Sequence, residues 1–205
     1  MKRRTSINSL TAALLLLTGL AGCSGLVPGS GPPADYYMLS PKSTFSDKIP
    51  VVDWQLVVEE PQASGVLSTQ RIALTRMDMR IQYYAGARWT EPAPRMIQTL
   101  LVESFENTEK IVAVGRQAVT LRSDFNLKSE LREFQAELGG PKPKVRIRIN
   151  SKIIKMPRRK IIASRTFERI MEAENASMDA VVRAFDKGLG KVLKRIVEWT
   201  LMTAK

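Results

Sequence analysis

The chain reads as α+β: a two-layer sandwich in which a mostly antiparallel sheet carries two main helices on one face. Three observations predict this. Strand-like and helix-like segments follow in the order strands, helix, strands, helix, which favours helices gathered on one side of an antiparallel sheet. Residues 144–153 alternate, with Val145, Ile147, Ile149 and Ile153 on one parity and Lys144, Arg146, Arg148 and Lys152 on the other, the period of a strand with one covered face. Two further segments hold apolar residues at helical spacing: Met96, Ile97, Leu100, Leu101 and Phe105, and Val182, Phe185, Leu189, Val192, Leu193, Ile196 and Thr200.

The chain opens on Lys2, Arg3 and Arg4, followed by an apolar run from Leu10 to Leu20 that closes in small residues. This is the three-part layout of a secretory signal peptide, and the run falls short of the roughly 20 residues of a membrane-spanning helix. Leu20-Ala21-Gly22-Cys23 resembles a bacterial lipobox. That resemblance implies removal of residues 1–22 and conversion of Cys23 to an S-diacylglyceryl cysteine bearing an N-acyl chain such as palmitate. Ser24, in place of an aspartate, implies the outer membrane as destination in a two-membrane bacterium. Ser24 to Ala34 has three glycines, three prolines and no charge, so it is expected to be a flexible tether reaching about 35 Å when extended at about 3.3 Å per residue. Residues 35–205 are expected to form one periplasmic domain.

Within that domain, Asp35 to Leu39 and Asp53 to Val58 are expected strands, with Trp54, Leu56 and Val58 sharing a parity. Arg71 to Thr75 and Met79 to Tyr84 are two more, joined at Arg76-Met77-Asp78. Proline is favoured in the first helical turn, where its missing N–H costs nothing, so the apolar stripe after Glu91-Pro92-Ala93-Pro94 predicts a helix over Pro94 to Asn107. Ile111 to Val114 is a short strand closed by Gly115. Val119 to Leu138 is a long one: Leu121, Phe125, Leu127 and Leu131 share one parity, Phe134, Ala136 and Leu138 the other. A parity switch inside one strand predicts a bulge, here near Arg132-Glu133. Lys144 to Ile153 and Lys160 to Ala173 continue an antiparallel meander around the basic turn Met156-Pro157-Arg158-Arg159, the facing of the last strand being divided between Ile161 and Ile162. Asn175 or Ser177 caps the final helix, whose wet face carries Lys187, Lys191, Lys194 and Glu198. Gly188 and Gly190 inside it cost about 1 kcal/mol each against alanine, which close helix–sheet contact would explain.

The formal charge is +12, of which the leader supplies three. Basicity of this degree suits nucleic acid, but export and a lipid anchor redirect it to anionic lipid or an acidic protein. Histidine is absent and the one cysteine is Cys23. This excludes Cys/His catalysis, His-based metal sites and any internal disulfide, so neither an enzyme nor a cofactor beyond the acyl groups is expected.

The stretch MRIQYYAGARWTEPAP at 79–94, with the lipobox, the DYYML strand, Val114-Gly115-Arg116 and LREFQAEL, resembles the ABC-type transport auxiliary lipoproteins, the group that includes the paraquat-inducible C-type lipoprotein. The resemblance covers most of the mature chain. It implies work with an MCE-domain periplasmic protein, a permease and an ATPase in moving phospholipid or other apolar molecules between membranes. The lipoprotein would dock the periplasmic MCE component at the outer membrane, and an oligomeric partner would suit a homo-oligomer. Two other functions compete: a stand-alone periplasmic lipid carrier or lipoprotein-assembly factor, and an envelope hydrolase, which the absent histidine disfavours.

Two surfaces are candidate sites. Tyr83, Tyr84, Arg88 and Trp89 read either as sheet-edge packing or, exposed, as a partner interface of the residue types that carry hot spots. Lys144, Arg146, Arg148 and Lys152, with Lys155, Arg158, Arg159 and Lys160 of the turn, read either as a solvated face or as a basic surface for acidic lipid or protein.

Overall fold

The computed structural model describes residues 33–76, 80–116 and 122–205. Cys23, the leader, the tether to residue 32, most of the expected 76–78 turn and residues 119–121 of the expected long strand lie outside them. In chain order the elements are β1 (Asp35–Tyr37), β2 (Val52–Val58), β3 (Gln62–Ala63), β4 (Arg71–Arg76), β5 (Ile81–Trp89), α1 (Ala93–Glu106), β6 (Ile111–Gly115), β7 (Phe125–Leu138), β8 (Lys144–Lys155), β9 (Lys160–Glu172) and α2 (Met178–Thr203).

Strand β7 organises the sheet. Along one edge it pairs antiparallel with β8 from end to end, and β8 pairs antiparallel with β9. Along its other edge three short strands lie in succession, β2 at 125–127, β3 at 130–131 and β4 at 135–138, all parallel to it. Beyond them β6 joins β2 and β1 joins β5, again in parallel, while β5 joins β4 antiparallel. The sheet is therefore mixed, which corrects the expectation of a mostly antiparallel one. Alternation reports which face a side chain takes and carries no record of strand direction; direction follows from the crossovers, and α1 lies in the long crossover from β2 to its parallel neighbour β6.

The two helices do share one face and touch each other, α1 over β2 and β6, α2 over β8 and β9. Helix α1 starts behind Pro92, with proline in its first turn, and ends at Asn107. Its Gln98 Nε2 donates to the Val58 carbonyl at 2.9 Å, fixing the helix to the end of β2. Of the two expected caps of α2 Ser177 is the one used: its Oγ accepts from the Ala180 amide, while Asn175 Oδ1 accepts from the Ser177 amide in the turn before the helix. The segment between β1 and β2 straps the helices together. Its Ser40, Lys42 and Ser46 amides donate to Asp186, Ser104 and Glu198 side chains, and Leu39 and Ile49 are buried beneath it.

The covered face is built from Leu56, Val58, Ile72, Leu127, Leu131, Phe134, Val145, Ile147, Ile149 and Phe167 against Ile97, Leu101, Phe105, Phe185, Leu189 and Ile196. All described core residues fall within 39–204, so residues 34–205 carry their own core. The bulge in β7 lies between Leu131 and Glu133, leaving Arg132 as the extra residue. A second irregularity, between Ile161 and Ala163, settles the facing of β9, because it lets Ile161 and Ala163 pair on opposite sides of the extra Ile162. At Gly188 an added Cβ would lie 3.1 Å from Met171 Cγ and 3.2 Å from Ile147 Cδ1, so close approach explains this glycine. It does not explain Gly190, whose nearest neighbour, Lys42 Cδ, would be 4.0 Å away.

Candidate functional site

The aromatic segment is divided by the pleat of β5. The strand runs past the expected end at Tyr84 because Gly86, at φ +66°, absorbs a register shift against β4. Trp89 is then turned inward. It is 1% exposed, with Phe185 edge-on at 5.1 Å and Phe134 at 5.6 Å. This corrects its reading as an interface residue: Trp89 belongs to the core. Tyr83 is half-buried, lies under the Arg71 guanidinium at 3.7 Å and donates to the Val66 carbonyl. Tyr84 is half-buried too, its hydroxyl enclosed without a hydrogen-bond partner, and burial pushes that phenol above its ordinary value while Arg76 works the other way. Arg88 alone of the four is exposed.

The basic stripe stands on the sheet face opposite the two described helices, and there β8 is flanked by β7 and β9. At one end its cations are matched. Register sets Lys144 between Glu137 and Glu172, and Arg148 between Glu133 and Glu168. Arg146 donates through Nε to Glu137 at 2.5 Å and through Nη1 to Glu168 at 2.6 Å. The hydrogen bond it donates to Glu137 holds this guanidinium above its usual value, against desolvation, with Glu168 adding to it. Arg148 Nε approaches Glu133 Oε2 at 2.9 Å, a charge contact whose angle is too poor for a hydrogen bond. Arg146 and Arg148 are thus parts of a cross-strand ionic ladder rather than free basic surface.

At the other end the matching stops. Lys128 of β7 stands directly opposite Lys152 of β8, and Asn126 opposite Ile154. Lys128, Lys152, Ile154, Met156, Arg159 and Ile161 line an open cavity of about 360 Å³, with Glu59 and Asn126 completing it. Asn126 Nδ2 donates to Glu59 at 3.2 Å, and Asn126 Oδ1 accepts from Ser123 at 2.7 Å. Arg159 holds φ +53°, a conformation that favours glycine. Lys155 reaches the Lys205 carbonyl at 2.9 Å. Sequence reading named Lys152, Arg158, Arg159 and Lys160 but missed Lys128, Asn126 and Glu59. The parity of β7 places Lys128 on the outer face, yet only the β7–β8 register puts it against Lys152.

Arg116, the last residue of the Val114-Gly115-Arg116 motif, donates to Thr99 Oγ1 at 2.6 Å and so pins the end of β6 to α1. Among the described residues no three of His, Cys, Asp or Glu are arranged to hold a metal ion, and no helix is long and apolar enough to cross a membrane.

The fold has solved counterparts. A Xanthomonas campestris protein of the DUF330 family is 33% identical, with a TM-score of 0.79 over 83% of this chain and 96% of that one. A second uncharacterized protein shares the fold at 17% identity, with a TM-score of 0.65 over 81% of this chain and 97% of that one. In sequence the chain is similar to an uncharacterized protein of Bradyrhizobium diazoefficiens, 26% identical over 184 residues, 89% of this chain. The chain spans about half that relative's length, 49%. The model of the ABC-type transport auxiliary lipoprotein component matches residues 37–197, from β1 into the last turns of α2, and the chain belongs to that family.

Proposed function

We propose that this protein is the membrane-anchored subunit of an MCE/ABC-type envelope lipid-transport system, docking the periplasmic MCE component at the outer membrane. One observation carries the reading: a domain of the transport auxiliary lipoprotein family begins at residue 37, only a short Gly/Pro-rich segment after the lipobox at Leu20–Cys23. Two or three acyl chains on Cys23 hold a protein on a bilayer, since each buried methylene contributes about 0.8 kcal/mol. The domain then acts by binding, not catalysis, in keeping with a chain that has no histidine and whose one cysteine is the lipobox residue Cys23.

Affinity purification of the intact protein, with mass spectrometry of its companions, tests this. An MCE protein, a permease and an ATPase are expected together, and Cys23→Ser is expected to move the protein out of the outer-membrane fraction. Recovery of lipid without those companions would instead identify a stand-alone carrier. A bare thiol at the mature N-terminus would remove the anchor.

A further inference from the structure

On the bare sheet face, rows of residues run across β7, β8 and β9. Row by row they read Glu137–Lys144–Glu172, Gln135–Arg146–Ile170, Glu133–Arg148–Glu168, Glu130–Asn150–Thr166, Lys128–Lys152–Ser164 and Asn126–Ile154–Ile161. Every cation of the first three rows has a carboxylate beside it. In the fifth row two ammonium groups face each other directly, an arrangement that destabilises a sheet. Among the described residues neither lysine makes an ion pair or hydrogen bond, and Arg159, at the same cavity, makes none either. The carboxylate lining it, Glu59, accepts a hydrogen bond from Asn126, and Glu130, which shares a neighbouring hollow with both lysines, is paired with Arg132 at 2.9 Å. The apolar part of the lining is Ile154, Met156 and Ile161, the last 53% exposed. Two facing ammonium groups outside any ion pair, beside a concavity at one end of an otherwise matched ladder, have the charge and the room to receive an anion.

We propose that this cavity binds a phosphate group between Lys128, Lys152 and Arg159, with any apolar arm of the same molecule along Ile154, Met156 and Ile161. Phosphate suits the donor set better than a carboxylate. It offers three or more acceptor oxygens and more than one negative charge to two point-charge ammoniums and one planar guanidinium fork. The phosphate could come from a soluble anion or from a lipid headgroup; the shared chemistry is the same. The site stands apart from the docking role, because it needs neither the acyl anchor nor a partner protein.

The test uses residues 34–205 and calorimetric titration with two probes, inorganic phosphate and dihexanoylphosphatidylglycerol below its micelle concentration. Saturable binding of at least one probe is expected, weakened about tenfold or more by Lys152→Glu. The same substitution gives Lys128 an opposite charge and is expected to raise the melting temperature by a degree or more, which separates loss of binding from loss of fold. Lys152→Gln is the second variant, expected to weaken binding in the same direction. Lys144→Gln, at the matched end, is expected to leave binding unchanged. Equal affinity for the two probes identifies a soluble phosphate. A lipid advantage of about tenfold that disappears in Ile161→Ser identifies a headgroup with its chain. Absence of saturable binding by both probes, or binding indifferent to both Lys152 variants, overturns the proposal.

Discussion

The covered and bare faces of this sheet use the same strands for different work. On the covered face Trp89, Phe134 and Phe185 meet ring to ring, and α2 comes so near that Gly188 has room for no side chain without displacing a neighbour. Volume decides what is allowed there. On the bare face β7 and β8 meet Glu with Lys or Arg at one end and Lys with Lys at the other. Charge register decides there. A residue's contribution therefore depends on the face it takes, not on its type. Trp89 and Arg88 are neighbours in sequence, yet one is core and the other is exposed.

The sharpest separation of the two faces comes from Trp89→Ala. Removing a fully buried indole from the aromatic cluster is expected to destabilise the domain by about 3–5 kcal/mol, measured by denaturant unfolding followed by circular dichroism. A loss below 1 kcal/mol would show that the covered face is not governed by packing at this point. Next in size is Arg146→Ala on the bare face. Arg146 is 28% exposed and bridges Glu137 and Glu168. Its loss leaves two carboxylates without their shared cation, worth about 1–2 kcal/mol after allowance for solvent. High salt should shrink that difference and leave the Trp89 effect unchanged. Equal salt response in both variants would erase the distinction between the faces.

Tyr84 gives a smaller effect of opposite sign. Its hydroxyl is buried without a partner, so Tyr84→Phe is expected to gain about 1 kcal/mol. The pH dependence follows from the raised phenol. The folded state keeps this proton above the unfolded value near 10, so the stability it protects is lost as pH rises through the folded value. Stability curves measured from pH 9 upward should therefore fall less steeply for Tyr84→Phe than for the parent. Parallel curves would place the alkaline loss elsewhere.

Much of this architecture is legible in the amino-acid sequence. The parity switch located the β7 bulge at Arg132, because an extra residue reverses facing and the apolar residues record facing directly. The stripe of α2 was readable for the same reason. Strand direction and register were not, since both are set by contacts between segments far apart in sequence. That is why the parallel placement of β2, β3 and β4 was missed. It is also why Lys152 was legible as a cation while its opposition to Lys128 was not. The inward turn of Trp89 depends on the bulge at Gly86, which composition alone does not announce.

The two glycines of α2 make the finest comparison, since both lie in one helix two residues apart. Gly190→Ala adds a methyl group whose nearest neighbour is 4.0 Å away. It should gain the ordinary helix-propensity difference, about 0.5–1 kcal/mol, from reduced freedom of the unfolded chain. Gly188→Ala gains the same propensity but drives its methyl toward Met171 Cγ and Ile147 Cδ1. Met171 is only partly buried and can swing aside, whereas Ile147 is fully enclosed between β8 and the helix. Overpacking against an enclosed neighbour costs about 1 kcal/mol or more, so the net change at Gly188 is expected at or below zero. Thermal melts of the two single variants measure the difference. Equal gains would mean that α2 shifts freely over β8, and that volume constrains the covered face less at Gly188 than at Trp89.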